Sequence, residues 1–203
     1  MSKSLSPSAP VRPRDSRPGV LWFVSLLGAA CILTAVLGVL NGWGEHHVEV
    51  PKGPEGTQEY AIASRNHVTT PVDYPLRPPA GGDHAPVWAN CGVYSIPVPP
   101  ELAVHSMEHG AAWVTYPPSL PVADVHELEH TVQAAYIGRE RYIILSPYDD
   151  PDDQVILTAW GRQLRVASAS DPRIPQFLAL FAGGPQAPEP GNPCTDGAGE
   201  PDD

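Results

Sequence analysis

The chain has 203 residues with 23 acidic and 12 basic side chains, a formal charge of −11, which leaves room for one ordinary domain with attachments. Before residue 45 the only acid is Asp15 and the bases are Lys3, Arg12, Arg14 and Arg17, so the remainder holds 22 acids and 8 bases, a formal −14. A surface of that sign repels phosphate backbones and argues against a nucleic-acid partner.

Residues 1–19, "MSKSLSPSAPVRPRDSRPG", are rich in Ser, Pro and Arg and offer no apolar periodicity, the composition of a disordered tail. No charge then interrupts the chain between Arg17 and Glu45. A helix needs about 20 apolar residues to span the hydrocarbon, and 20–40 supplies that length. A cleaved signal peptide usually has an apolar run of only about 7–15 residues followed by a small-residue site. A lipoprotein signal ending at Cys31 would place Gly28 where leucine is wanted, and the apolar run continues past the cysteine. The sequence therefore predicts an uncleaved single-pass anchor over 20–40. The bases before it keep the tail cytoplasmic and send the C-terminal part outside, so the expected location is the cell membrane with an extracytoplasmic domain.

Residues 41–60 read as a membrane-proximal linker, 61–184 as the exported domain and 185–203 as an acidic tail. Many prolines and glycines fall between 45 and 100; proline removes a backbone donor and fixes φ, so long helices and central strands are not expected there. Tyr74, Trp88, Val93, Tyr94 and Ile96 nevertheless give this stretch apolar weight, and it is expected to wrap irregularly against a later core. Pro100 suits a first helical turn and Gly110 a stop, which predicts a helix over 101–109. "AAWVTY" reads as a buried strand. "VADVHELEHTVQAAY" spaces Val125, Leu128, Val132 and Ala135 as an amphipathic helix. "RYIILSPY" and "VILTAW" follow as strands with the acidic turn "DDPDD" (149–153) between them, then "RQLRVAS" as a fourth strand and "RIPQFLALFAGG" as a closing helix. Strand–helix–strand implies a parallel pair, and the short turn implies an added antiparallel strand. The predicted class is α+β: an N-terminal transmembrane helix, then a small mixed sheet with two or three packed helices and the proline-rich wrap. "PQAPEPGNPCTDGAGEPDD" is expected to be disordered apart from Cys194.

Cys91 and Cys194 both lie in the part assigned outside, where an oxidising compartment permits pairing. Such a bridge would close a loop of about 100 residues, for which the chain-entropy model gives roughly 4.7 kcal/mol as a ceiling. The alternatives are two free thiols or soft-metal ligands.

"VHSMEHGAAWV" (104–114) is the stretch with the clearest chemical pattern. On a helix His105, Glu108 and His109 share one arc, with Ala103, Val104 and Met107 opposite. On a strand His105, Met107 and His109 would alternate onto one side. The first set suits zinc or Cu(II), the second Cu(I); the punctuation by Pro100 and Gly110 favours the helix. His105-x-x-Glu108-His109 also matches the H-x-x-E-H of inverted zinc peptidases, although no second helix offers a distant acidic third ligand. His67 and His84 stand in the wrap, where Gly81 and Gly82 permit close backbone approach and Trp88 and Tyr74 can shield a site; a structural role, bonding backbone, competes with a metal role. His126 and His130 lie opposite the Val125–Leu128–Val132 stripe beside Glu127 and Glu129, an ordinary polar face. "DDPDD" lacks the 12-residue calcium-loop pattern and has Pro151 in its middle.

Taken in order, His67-Val68, Gly82-x-His84, Gly92-Val93-Tyr94, Val104-His105-x-x-Glu108-His109-Gly110 and Ala159-Trp160-Gly161 resemble an exported, membrane-anchored bacterial family known as domain of unknown function 3105, over roughly residues 65–183. The resemblance implies no activity; it implies that the four histidines and Glu108 belong to one set. The resulting expectation is a membrane-anchored protein whose partners are the bilayer and another envelope protein, and whose domain binds copper or zinc through His105 and His109 with His84 or His67. A non-catalytic interaction module with structural histidines is the alternative, and a zinc-dependent hydrolase the third reading.

Overall fold

The computed structural model describes residues 49–137, 141–149, 152 and 154–203. The predicted tail over 1–19 and span over 20–40 lie outside the described residues, as do the linker up to residue 48 and part of the "DDPDD" turn. Among the described residues no helix is long and apolar enough to cross a membrane.

Six strands form one mixed sheet: β1 Gln58–Glu59, β2 Gly92–Val93, β3 Ala112–Tyr116, β4 Ile143–Pro147, β5 Val155–Ala159 and β6 Arg162–Val166, in the order β1-β6-β5-β3-β4-β2. Among the described residues three helices accompany them: α1 Pro100–Glu108, α2 Val122–Ala134 and α3 Arg173–Phe181. The expected α+β class with a mixed sheet is what the described residues adopt. β3 and β4 pair in parallel, Val114 opposite Leu145, and α2 makes the crossover that a parallel pair requires. β5 is antiparallel as expected, but it lies against β3, with Trp113 opposite Thr158, rather than beside β4. β6 returns along β5 through the two-residue turn Trp160–Gly161, Gly161 having φ +68°. Every residue of β3, β4 and β5 is buried, so both faces of the central sheet are covered, and these strands read as apolar runs rather than alternations.

α1 positions the site. Proline stands at its first turn with Glu101 behind it, and Gly110 at φ +116° ends it against the backbone of Gly183, where a Cβ would come within 3.3 Å of the Gly183 Cα. Ala103, Val104 and Met107 are fully buried, which fulfils the expected apolar face. The polar arc is buried as well: Ser106 Oγ donates to Ala89 O at 2.8 Å, and the irregular wrap lies over this side. Main-chain bonds hold the wrap in place, Ala85 N–H to Glu101 O (3.2 Å), Ala89 N–H to Leu102 O (3.1 Å) and Gly161 N–H to Ala80 O (2.7 Å).

Two segments differ from expectation. The described part of the linker, 49–60, packs on the domain: Tyr60 N–H bonds Gly161 O at 2.9 Å, Arg173 Nη1 bonds Glu55 O at 3.1 Å, and β1 adds to the sheet edge. A two-residue edge pairing has no periodicity to read. The tail over 185–203, expected to be disordered, is docked along the wrap and β2. Asn90 N–H bonds Ala198 O (2.8 Å), Ala198 N–H bonds Trp88 O (2.8 Å) and Asp202 N–H bonds Val93 O (2.7 Å); Asp203 accepts from Tyr136 Oη at 2.6 Å and pairs with Arg141 at 2.7 Å. Cys91 and Cys194 form the disulfide, with Cα atoms 5.4 Å apart. Replacing both cysteines by serine is expected to lower stability by about 2–5 kcal/mol, read as a shifted denaturant midpoint, with faster amide exchange at residues 191–198 than at β3; an unchanged midpoint would show that the main-chain bonds alone hold the tail.

Candidate metal centre

α1 presents His105 and Glu108 from its last turn and His109 from its C-cap, so the helical arc, not the strand alternative, is what forms. Met107 is buried in the core on the other side. His84 and His67 come from the wrap. They meet in a parallel bridge, with Val68 N–H on His84 O (2.7 Å) and His84 N–H on Asn66 O (3.0 Å). Asp83 Oδ1 clips the same joint by accepting from Asn66 N (2.8 Å) and Nδ2 (3.0 Å); these bonds, the backbone one first, hold the Asp83 carboxyl below the usual aspartate range. Gly82, at φ +126°, allows the turn that carries the chain back onto His84.

Three of the imidazoles are tethered in the same way. Nδ1 of His84 meets Gly82 O at 2.8 Å, Nδ1 of His105 meets Ala85 O at 2.7 Å, and Nδ1 of His109 meets Pro193 O at 2.6 Å. A carbonyl oxygen only accepts, so each Nδ1 carries a hydrogen, and in a neutral ring the Nε2 then keeps its lone pair. Those lone pairs face one another or a carboxylate. His105 Nε2 and His109 Nε2 are 3.1 Å apart. His84 Nε2 stands 3.0 Å from Glu108 Oε2, an ion pair when the ring is protonated, and it is buried without a hydrogen-bond partner. Glu108 Oε1 accepts from Arg65 Nη1 at 3.0 Å, which turns Oε2 inward, and Glu189 Oε1 lies 3.5 Å from the same guanidinium nitrogen.

One ligand atom from each of His67, His84, His105 and Glu108 falls within 4.8 Å of all the others. Donors bound at about 2.0–2.1 Å to a tetrahedral ion are separated by roughly 3.3 Å. The His84–Glu108 separation of 3.0 Å is close to that edge, and the 3.9 Å between His67 Nε2 and Glu108 Oε2 is slightly wider. His109, expected among the ligands, stands outside this four-membered group, with its Nε2 3.1 Å from that of His105. Around them, Trp88 packs 5.6 Å from the His105 ring and 5.0 Å from the His109 ring, and Trp160 sits 6.1 Å from His84. His126 is exposed and engaged with Glu129 at 2.8 Å; His130 is exposed too, and neither joins the group.

The family model described as Protein of unknown function (DUF3105) matches residues 67–196. This chain belongs to that family. No curated protein and no solved structure matches it. The matched DUF3105 span contains all four histidines of the site, Glu108 and both bonded cysteines. It also includes groups that sequence reasoning missed, the carbonyls of Gly82, Ala85 and Pro193 and the carboxylate of Glu189. Arg65, two residues before the matched span, was missed too.

Burial, then the neighbouring His109, His84 and His67, hold the His105 imidazole below the usual histidine range against the opposing pull of its bond to Ala85. A lowered folded value means that the unfolded chain binds the proton more readily. The contribution to stability is therefore complete above about pH 6.5 and is lost as pH falls below it toward the folded value. In nitrogen-resolved NMR of the metal-free protein, the neutral rings of His84, His105 and His109 are expected as Nδ1–H tautomers, with His105 titrating below the usual histidine range. An Nε2–H tautomer at any of the three would remove the convergent lone pairs.

Proposed function

We propose that this DUF3105 protein is a membrane-anchored extracytoplasmic protein that binds one copper(II) or zinc ion through His67, His84, His105 and Glu108. Its role is to hold the ion for, or pass it to, another protein of the envelope. The observation that carries the reading is the grouping of donor atoms from His67, His84, His105 and Glu108 within 4.8 Å of one another, with the buried His84 Nε2 left without a hydrogen-bond partner 3.0 Å from Glu108 Oε2. A cation held between the two would bond both.

Three imidazole nitrogens and one carboxylate form a borderline-to-hard donor set. Sulfur is withdrawn from it: Cys91 and Cys194 are bonded to each other, and Met107 is buried in the core. That favours Cu(II) or Zn over Cu(I). The formal −14 of residues 45–203 draws cations toward the domain. The apolar run 20–40 with bases before it supports the anchor, and the disulfide fits an oxidising compartment.

The second reading, a non-catalytic interaction module, draws on the tethers themselves, because imidazole–carbonyl bonds also knit the wrap and the tail to α1. A hydrolase of the H-x-x-E-H type would need Glu108 free to act on water between two zinc-bound histidines. Here Glu108 is gripped by Arg65 and grouped with the ligands, while His109 is not.

Metal analysis of the full-length protein, purified without a histidine tag and exposed to both ions, is expected to find about one copper or zinc per chain. His84→Ala and His105→Ala should each abolish that stoichiometric binding while the circular dichroism is retained. His109→Ala should keep one ion per chain, because His109 stands outside the ligand group, and His126→Ala should leave binding unchanged. Binding should also fall as pH is lowered, because protonated imidazole has no lone pair to offer. A wild-type chain that takes up neither ion would leave the histidines as structural knots.

A further inference from the structure

The four ligand side chains are not equivalent, and we infer that His67 is the exchangeable one: the ion enters and leaves through its position, and an external donor of the imidazole class can take its place. This rests on the metal reading above and concerns how that site communicates with solvent.

Three independent differences set His67 apart. Its side chain is 53% exposed, against 0% for His84 and 3% for Glu108. Its ring has no carbonyl partner among the described residues, whereas His84, His105 and His109 are each pinned through Nδ1. Its Nε2 stands 3.9 Å from Glu108 Oε2, where His84 Nε2 stands 3.0 Å away. An untethered, solvent-facing ring samples several rotamers in nanoseconds or less, while its buried neighbours are fixed by packing and by their carbonyls.

The backbone beneath His67 is nevertheless held. The bridge to His84 and the Asp83–Asn66 clip fix its Cα at the edge of the site, and its ring stacks on that of His105 with centroids 4.8 Å apart and planes 17° from parallel. The ring can therefore leave and return without any change in the fold. When it leaves, the ion keeps His84, His105 and Glu108 and opens one position toward solvent. The Arg65 guanidinium, itself 53% exposed, holds Glu108 Oε1 at 3.0 Å, so the carboxylate stays in place when the ring leaves. A neutral imidazole nitrogen reproduces the chemistry of the ligand it replaces. The arrangement is that of three fixed ligands with a fourth acting as a door, which permits transfer by ligand substitution without unfolding.

The test uses Co(II), whose visible absorption reports coordination, added to the full-length protein. His67→Ala is expected to keep one Co(II) per chain with affinity lowered about 10–100-fold and with faster release to a chelator. Its spectrum should differ from wild type and move back toward it when free imidazole is added at millimolar concentration. The wild-type spectrum should be indifferent to the same addition. His84→Ala should lose one-per-chain binding, and imidazole should not restore it, because that position is closed to solvent. If His67→Ala loses Co(II) as completely as His84→Ala while its melting curve is unchanged, His67 is an essential ligand and the inference is wrong. If its affinity and spectrum equal those of wild type, His67 is not a ligand and the inference is equally wrong. His67→Gln guards against a folding defect and is expected to behave like the alanine variant. A wild-type chain that binds neither Co(II) nor copper nor zinc overturns the metal reading and this inference together, so the two failures are told apart by the wild type alone.

Discussion

The structure turns on three bonds of one kind, the Nδ1–H of His84, His105 and His109 donating to the carbonyls of Gly82, Ala85 and Pro193. All three carbonyls belong to segments without regular structure, Gly82 and Ala85 in the proline-rich wrap and Pro193 in the C-terminal tail. Each such bond contributes only about 0.5–1.5 kcal/mol net, but removing a partner strands a buried polar group at about 1–3 kcal/mol. The wrap cannot drift from α1 without stranding His105, and the tail cannot drift without stranding His109. The same bonds decide which nitrogen bears the hydrogen. What holds the irregular segments to the helix therefore also aims the lone pairs inward, and neither role can be altered without the other.

The consequence is a helix with unusual surroundings. α1 is buried on its apolar side by Ala103, Val104 and Met107 and on its polar side at His105, Ser106 and Glu108. Apolar burial on one face stabilises the fold in the ordinary way. On the other face a nearly buried carboxylate and several unshared lone pairs are gathered, which costs free energy unless a cation joins them. Arg65 supplies part of that charge to Glu108 from the exposed side but does not reach the nitrogens. Local conflict inside an otherwise consistent fold is the physical mark of a functional site. Here the conflict is confined to five side chains within one turn of helix and one bridge of the wrap.

Much of this was legible in the chain. The buried runs of β3, β4 and β5, the spacing of Leu128 and Val132 on α2, and the Pro100 and Gly110 punctuation of α1 all follow from periodicity and turn chemistry. The helical arc of His105, Glu108 and His109 followed from the same punctuation. Bringing His67 and His84 to that arc did not follow from spacing, because it depends on a bridge between two irregular stretches. The position of β5 beside β3 was hidden for a related reason: a short turn after β4 fixes direction but not which strand is joined. The tail was misread because proline, glycine and acid composition describes what a segment cannot do alone. It says nothing of main-chain bonds to Trp88, Asn90 and Val93. Cys194 was the one available clue, since a residue bonded to Cys91 must bring its neighbours to the wrap.

That disulfide also explains why the donor set is nitrogen and oxygen. The bond falls one residue after the carbonyl that orients His109 and one before Thr195, whose carbonyl accepts from Trp88 Nε1 at 3.0 Å. Oxidation thus ties the tail beside the site and at the same time removes two thiols from the groups that could hold a metal ion. The remaining sulfur in the domain, Met107, is turned into the core by the helix that presents the histidines, because residues on opposite faces of one helix cannot face the same point. A single helical phase therefore places His105 and Glu108 at the site, excludes the thioether from it, and buries the apolar face that holds the helix in place.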